Sequence, residues 1–133
     1  MILLFIFIIS IYFIVLMKFT NSIYYYNDID IKQDYTPDIS IIISARNEEK
    51  NIKRTLESLI KQDYPNNKYE ILVANDRSTD NTQIILDSYK KKYENIKVLR
   101  IDKTPIGWSN KKWALNQLIN ISNSDIILQI DAD

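Results

Sequence analysis

The sequence predicts an α/β domain, a mostly parallel sheet with helices on both faces, preceded by one N-terminal transmembrane helix. Three observations lead to this prediction. The chain opens with a long apolar run, four short runs rich in β-branched residues follow it, and stretches with helical spacing of apolar residues lie between those runs. The short runs are apolar along nearly their whole length, which is typical of strands buried on both faces of a parallel sheet. Ligands of such sheets bind outside the carboxyl ends of the strands.

The N-terminal run, residues 1–17, has Ser10 as its only clearly polar side chain. As a helix it measures about 26 Å, close to the thickness of the hydrocarbon layer of a bilayer. Lys18 follows it and can extend its amine toward the headgroups. A cleaved signal peptide is the alternative, but no basic residue precedes the run and no Ala-x-Ala-like site follows it. We therefore predict a single-pass anchor at residues 1–19 in the cell membrane, with the following domain facing the cytoplasm.

A polar, aperiodic segment separates the anchor from the domain, so residues 20–37 are predicted to form a juxtamembrane linker. The domain spans residues 38–133. Its strands are predicted at residues 38–44, 70–75, 96–100 and 125–130, where β-branched and other apolar residues run together. Its helices are predicted at residues 47–62, 82–93 and 110–120, where apolar residues recur every three or four positions.

Composition excludes several classes of function. The chain has 17 basic and 17 acidic residues, so it carries no excess charge that would attract nucleic acid. It has no cysteine and no histidine, which excludes thiolate nucleophiles, Ser-His chemistry and zinc sites built from those ligands. A metal would have to be held by oxygen atoms, which favours Mg²⁺ or Mn²⁺. A single glycine in the whole sequence rules out the glycine-rich loops of P-loop and dinucleotide-binding proteins.

Acidic residues follow two of the predicted strands, at the edge where parallel strands end together. Asp131 and Asp133 follow the last strand with one residue between them, and two carboxylates at this spacing can share one hard cation. The alternative is a solvated turn. Asp76 follows the second strand and could accept a hydrogen bond from the imide N–H of uracil. The alternative is a cap for the next helix, a role that Asp76, Ser78 or Asp80 could fill.

Polar residues also follow the first strand. Glu48 could accept hydrogen bonds from ribose hydroxyls, and Arg46 could lie near a base or a phosphate. The alternative is that Asn47 caps the helix predicted to begin there, with Glu48 and Glu49 in its first turn, where the helix dipole favours anions.

The segment around the start of the last helix combines aromatic and basic residues. Lys111, at the N-terminal end of this helix, could contact a diphosphate or a base, and the alternative is a solvated lysine. Trp108 offers a flat face for a sugar or for a contact with lipid. Trp113 is predicted to pack in the core.

Four segments of the sequence resemble motifs of the family 2 glycosyltransferases. The run SIIISARNEE resembles the first strand and loop of that family, and ANDRSTD resembles its V-D-D-x-S-x-D segment. The run KKWALN is similar to its K-x-x-A-L-N helix, and DAD is similar to its metal-binding D-x-D motif. The order and separation of the motifs also agree with the family, and the resemblance covers about residues 37–133.

The resemblance implies a GT-A fold, a nucleotide-sugar donor that is usually a UDP-sugar, a divalent cation and inverting transfer. Carried over residue by residue, it implies donor-binding roles for Ala45, Arg46, Glu48, Asp76, Lys111 and Asp131. It places Asp76 at the base and Asp131 near the ribose and the sugar, and it implies that Asp133 and Asp131 hold the metal. The G-W-x-x-K-x-x-A-L form of residues 107–115 is similar to a subgroup that glycosylates lipid or terpenoid-like acceptors. Asn75 stands where the family usually has Asp, which weakens the expected contacts on the ribose side.

In this family an acidic base for the acceptor hydroxyl and an aromatic-basic acceptor helix lie well beyond the D-x-D motif. The sequence ends at Asp133, so we expect a donor-binding half that lacks the C-terminal half of the fold and its catalytic base. Such a chain should bind nucleotide weakly and should not turn over. The alternative function is a truncated, non-catalytic membrane protein that at most binds a nucleotide or a partner chain.

Overall fold

The structure is a computed structural model that describes residues 1–26 and 35–132. Residues 27–34, which belong to the predicted linker, lie outside the described residues, and so does Asp133, a predicted metal ligand. Residues 20–26 of the predicted linker are helical and continue the N-terminal helix.

The chain forms two compact units, of which the first is Met1–Tyr35. Its described residues form one helix, α1 (Ile2–Tyr26). Within it, Leu4–Ser22 is apolar and long enough to cross a membrane, since 19 helical residues span about 28 Å. The hydroxyls of Ser10 and Thr20 donate to backbone carbonyls four residues earlier, over 2.9 and 3.0 Å. Both polar side chains are therefore satisfied within the helix, as apolar surroundings require.

The second unit, Thr36–Asp133, is built on a four-stranded parallel sheet. Its strands are β1 (Ile39–Ala45), β2 (Tyr69–Asp76), β3 (Ile96–Ile101) and β4 (Ile126–Asp131). Its α-helices are α2 (Ile52–Ile60), α3 (Thr82–Lys92) and α4 (Asn110–Ile121), and a short 3₁₀ turn, Asn66–Lys68, precedes β2. The strand order is β3-β2-β1-β4, so β1 pairs with β2 on one side and with β4 on the other. The predicted fold class is confirmed, and the four strands and three α-helices predicted for this part of the chain are all present.

Two apolar layers hold the helices on the sheet, because alternate residues of a strand face opposite sides. Ile43 points into one layer, where it meets Leu56 of α2 and Leu86 of α3. Ile42 belongs to the other layer, which contains Leu118 of α4. All five side chains are at most 1 % exposed. The sheet is therefore covered on both faces along β1 and β2, which are apolar along nearly their whole length, whereas Ile126, Ile127 and Leu128 of β4 are 38–48 % exposed.

A buried carboxylate joins the elements at the amino end of the sheet. Glu70, at the start of β2, is 9 % exposed. It accepts hydrogen bonds from Ser40 of β1 (2.7 Å), from Nζ of Lys97 in β3 (2.8 Å) and from the backbone N–H of Asn123 before β4 (2.8 Å). Burial alone raises the pKa of Glu70, but these hydrogen bonds outweigh it and lower the pKa below its ordinary value.

The start of α2 differs from the prediction, whereas the strand boundaries and those of α3 and α4 differ by one residue. The helix begins at Ile52 rather than at Asn47, and its N-cap position is Asn51. Asn47 has φ 57°, a left-handed conformation that asparagine tolerates better than most residues and that cannot continue into a helix. The prediction that Asn47 caps α2, with Glu48 and Glu49 in the first turn, is therefore wrong, because both glutamates precede the helix.

Candidate functional site

An open cleft of about 390 Å³ lies at the carboxyl ends of β1, β2 and β4, beside the N-terminus of α4. Because β2 and β4 lie on opposite sides of β1, the cleft opens where the strand order reverses, the usual ligand position in such sheets. The side chains and backbone that line it belong to Ser44, Arg46, Glu48, Asp76, Asn110, Lys111, Asp131 and Ala132. Five of the six predicted donor-binding residues are thus brought together.

Asp76 is held at the end of β2 by two arginines, with 3 % of its side chain exposed. Nε and Nη2 of Arg77 lie 2.8 Å from its Oδ1. Its other oxygen, Oδ2, lies 4.0 Å from Nη1 of Arg46, beyond hydrogen-bonding distance. Arg77 has φ 52°, and its Nη2 also donates to Thr104 Oγ1 over 3.3 Å. Asp76 is therefore a fixed, charge-balanced acceptor, and the alternative that it caps the next helix is wrong.

Lys111 and Asp131 face each other across the cleft, with Nζ 2.6 Å from Oδ1. Their side chains are 56 % and 59 % exposed, so this ion pair contributes at most about 1 kcal/mol and can rearrange around a ligand. Lys111 is in the first turn of α4, whose N-cap Ser109 accepts from the backbone N–H of Lys112 at 3.4 Å. The cleft therefore receives a helix N-terminus and a lysine, both of which favour anions.

A threonine of α2 holds the segment that carries the predicted metal ligands. Oγ1 of Thr55 donates to the carbonyl of Ala132 over 2.8 Å, and Ala132 is 4 % exposed. Asp131 precedes this anchored residue and lines the cleft. Carboxylate oxygens such as those of Asp131 are the ligand atoms that Mg²⁺ and Mn²⁺ prefer. Within residues 1–26 and 35–132 there is no group of three acidic residues arranged to bind a metal. Asp133 lies outside those residues.

The loops after β1 and β2 are joined by side-chain hydrogen bonds that the sequence analysis missed. Oδ1 of Asn47 accepts from the backbone N–H of Thr79 at 2.8 Å. The backbone N–H of Asn47 donates to Oγ of Ser78 at 3.0 Å. Oε2 of Glu49 accepts from both the backbone N–H and Nδ2 of Asn81, each over 3.1 Å. Glu49 thus interacts with the N-cap residue of α3 instead of its own helix. The uninterrupted polar runs at residues 46–51 and 77–82 were the available signal.

The N-cap position of α3 is Asn81, but the side chain that accepts from the start of the helix belongs to Asp80, one residue earlier. Its Oδ1 accepts from the backbone N–H and the hydroxyl of Thr82, at 3.0 and 2.6 Å, and its Oδ2 accepts from the N–H of Glu49 at 3.1 Å. Desolvation raises the pKa of Asp80, but the hydrogen bonds from Thr82 and Glu49 lower it by more. Of the three candidates for the cap, the structure therefore selects Asp80.

One predicted donor-binding residue, Ala45, and Asn75, which stands where the family usually has Asp, do not line the cleft. Ala45 is 0 % exposed in the core and does not line the cleft. Asn75 is 5 % exposed; its Oδ1 accepts from the N–H of Ser78 at 3.2 Å and its Nδ2 donates to Gln83 at 2.6 Å. The asparagine therefore shapes the loop after β2. Glu48 lines the cleft, and its carboxylate accepts from Nδ2 of Asn51 at 3.0 Å.

Comparison with known proteins places the matching region over the second unit. The family model described as Glycosyl transferase family 2 matches residues 40–133 of this chain. A beta-monoglucosyldiacylglycerol synthase from Nostoc sp. is 39 % identical over 101 residues, which are 76 % of this chain and 21 % of that protein. The chain therefore spans about a fifth of the length of this curated relative.

Solved structures resemble the same region. A crystal structure of Staphylococcus aureus TarS in complex with UDP-GlcNAc matches with a TM-score of 0.59 and 34 % identity, over 72 % of this chain and 26 % of that one. The mannosyltransferase PcManGT from Pyrobaculum calidifontis, in complex with GDP-Man and Mn²⁺, matches with a TM-score of 0.65 and 25 % identity, over 75 % of this chain and 28 % of that one.

Proposed function

The chain belongs to glycosyltransferase family 2, and on this premise we propose that its second unit binds the nucleotide-diphosphate part of a sugar donor in the cleft. The whole protein would transfer that sugar to an acceptor hydroxyl, with inversion at the anomeric carbon. One observation carries the proposal: Asp76, Lys111 and Asp131 come from three separate elements and meet at one edge of the sheet.

UDP is the nucleotide that Asp76 favours. A carboxylate can only accept hydrogen bonds, and the imide N–H of uracil can donate one, whereas cytosine has no N–H at that ring position. Oδ1 of Asp76 already accepts from Arg77, so Oδ2 is the oxygen proposed to accept from the base. Arg46 lies beside it and Glu48 lines the same cleft, where we propose that its carboxylate accepts from the ribose hydroxyls. The UDP-GlcNAc complex of S. aureus TarS supports a uridine nucleotide.

The diphosphate is proposed to lie between Lys111 and the end of β4. Lys111 would exchange its ion pair with Asp131 for the phosphate oxygens, aided by the N-terminus of α4. Asp131 and Asp133 would hold a divalent cation, Mg²⁺ or Mn²⁺, and the Mn²⁺ complex of the Pyrobaculum mannosyltransferase supports this choice. When bound, the cation neutralises the charge that develops on the diphosphate as it leaves.

The acceptor is proposed to be a lipid and the site of action the membrane. α1 has the length and composition of a membrane-spanning helix, and the Nostoc relative is a synthase of a glucosyl lipid by its name. We propose that α1 is a single-pass anchor in the cell membrane and that the second unit faces the cytoplasm, because positive charge follows the apolar run, at Lys18, and none precedes it. Ala45, which is buried, would support the nucleotide cleft only from within the core.

Calorimetric titration of the full chain in detergent micelles tests the nucleotide site. UDP should bind in the presence of Mn²⁺, bind more weakly with EDTA, and bind better than CDP. Asp131→Asn should remove the Mn²⁺-dependent part of the affinity, at least about tenfold, because one of two charged ligands is lost.

Asp125→Asn is the matched control, since Asp125 is also exposed but precedes β4, at the opposite end of the strand. It should leave UDP affinity unchanged. Equal binding of UDP by the wild-type chain and Asp131→Asn, with the same response to Mn²⁺, would contradict the proposed site.

A further inference from the structure

We propose that the 105–108 turn, the tip of the connection between β3 and α4, inserts Ile106 and Trp108 into the headgroup region of a phospholipid bilayer. The second unit would then have a membrane contact of its own, separate from α1. This goes beyond sugar transfer, and no step of it uses the nucleotide cleft.

The turn is held in shape at both ends, so its tip is a fixed feature of the surface. The backbone N–H of Trp108 donates to the carbonyl of Pro105 over 3.2 Å and closes the turn. Gly107 between them has φ 90°, a conformation that side-chain-bearing residues rarely adopt. On the side toward β3, Thr104 accepts from Nη2 of Arg77 over 3.3 Å.

The tip presents two apolar side chains to solvent. Ile106 is fully exposed, at 104 %, and the indole of Trp108 is 45 % exposed. The remaining surface of Trp108 rests edge-on against Trp113, with ring centroids 5.4 Å apart and an interplanar angle of 70°. Trp113 in turn packs against the core layer under α4. The packing of Trp108 on Trp113 therefore keeps the indole at the surface, where it can contact a bilayer.

The charge around the turn complements an anionic phospholipid surface. Residues 100–112 contain four basic residues and one acidic residue, in a chain whose formal net charge is zero. Lys103 and Lys112 flank the tip on either side and are exposed. An aliphatic and an indole side chain between lysines is the composition of interfacial membrane contacts, since the indole suits the headgroup level and the lysines meet the phosphates.

A bilayer explains the tip better than a bound sugar does. A sugar platform pairs an aromatic face with polar side chains that reach the hydroxyls, whereas the most exposed neighbour of Trp108 is the aliphatic Ile106. An isoleucine at full exposure gains nothing from a sugar but gains free energy when its methyl groups leave water. α1 gives an independent reason for the chain to be at a membrane.

Tryptophan fluorescence of the full chain in vesicles tests the proposal, because the sequence has only two tryptophans, Trp108 and Trp113. Trp113→Phe makes Trp108 the sole reporter and keeps an aromatic ring beneath it. In vesicles of phosphatidylcholine and phosphatidylglycerol, brominated phosphatidylcholine should quench Trp108 and its emission should lie further to the blue than in detergent. Ile106→Asp should reduce partitioning of the turn by about tenfold or more and abolish most of this quenching.

Ile84→Asp is the matched control, because Ile84 is 68 % exposed on α3 and lies outside the turn; it should leave the quenching of Trp108 unchanged. Trp108→Phe, in which Trp113 is the reporter, should show less quenching than Trp113→Phe, in which Trp108 is the reporter. Far-UV circular dichroism establishes that each variant is folded.

Three results would overturn the proposal: no quenching of Trp108 by brominated lipid, quenching that Ile106→Asp leaves intact, or equal loss of quenching in Ile84→Asp. In the first case, protection of Trp108 from acrylamide by UDP-GlcNAc would assign the indole to a sugar. UDP binding is not measured by the lipid quenching, so failure here leaves the nucleotide site standing.

Discussion

Replacement of Glu70 by glutamine should destabilise the second unit while leaving the proposed nucleotide site intact. In the native protein Oε1 accepts from Ser40 and from the backbone of Asn123, and Oε2 accepts from Lys97 at 2.8 Å and from Nδ2 of Asn123 at 3.3 Å. Glutamine can keep the first two bonds with its carbonyl oxygen. Its amide group would then face Lys97 and the side chain of Asn123, both of which are donors.

The expected cost follows from these contacts. A hydrogen bond between charged groups contributes about 1.5–3 kcal/mol, and Lys97 is half exposed, which favours the lower end. The amide of the new side chain adds about 1 kcal/mol because it is buried among donors. Glu70→Gln should therefore lower the free energy of unfolding by about 2–3 kcal/mol at neutral pH.

Urea unfolding of the full chain in micelles, followed by tryptophan fluorescence, measures this cost because both tryptophans lie in the second unit. Glu94→Gln is the control: Glu94 is exposed, and its replacement should change stability by less than about 0.5 kcal/mol. If Glu70→Gln were equally mild, the buried network would contribute nothing and the reasoning would be refuted.

The pH dependence of unfolding gives a second test of the role of Glu70. The pKa of Glu70 is lowered in the folded chain, so its carboxylate stabilises the fold fully above the ordinary value of 4.5. That contribution disappears as the pH falls through the lower folded value. The difference between wild type and Glu70→Gln should therefore be constant near neutrality and shrink on acidification below 4.5.

Two further predictions concern the loops at the cleft. Asn47→Ala and Asn47→Gly both lose the hydrogen bond to the loop after β2, but only alanine is strained at φ 57°, so it should be less stable than the glycine variant by about 1 kcal/mol in urea unfolding. Equal stabilities would show that the left-handed backbone costs nothing. Thr55→Val should weaken Mn²⁺-dependent UDP binding several-fold, because it releases the carbonyl of Ala132, whereas Thr55→Ser keeps the hydroxyl and should bind as wild type. Calorimetry distinguishes the two, and identical affinities of Val and Ser variants would contradict a positioning role.

Much of the fold follows from local patterns in the sequence. Strand and helix periods depend on which residues face the core, so β1 to β4 and α2 to α4 were all predicted, and the family resemblance is confirmed over residues 40–133. The start of α2 was predicted wrongly because Asn47 is a good N-cap by residue type. Its side chain instead bonds Thr79, 32 positions away, and a contact at that separation leaves no periodic trace in the sequence.

The candidate site was predictable in its position more than in its internal contacts. Polar residues after parallel strands meet at one edge by topology, which is why Arg46, Asp76 and Asp131 were selected together. The bond from Thr55 to the segment after β4 was not predictable, since a threonine inside an amphipathic helix gives no sign of a distant partner. Family resemblance also implies a donor-binding role for Ala45, which is fully buried beside the cleft, and this role stays a prediction.

The buried network of Glu70 and the candidate site lie at opposite ends of the same sheet. Glu70 joins β1, β2, β3 and the segment before β4 at the amino end, whereas the cleft lies at the carboxyl end of the strands. The strands are paired in register between these ends, Ser44 with Asp131 among them, and none of the residues of the buried network lines the cleft. Glu70→Gln should therefore change the urea midpoint and leave UDP affinity unchanged, whereas Asp131→Asn should do the reverse. A loss of UDP affinity in Glu70→Gln under conditions where the protein is fully folded would mean that the two ends are coupled through strand register.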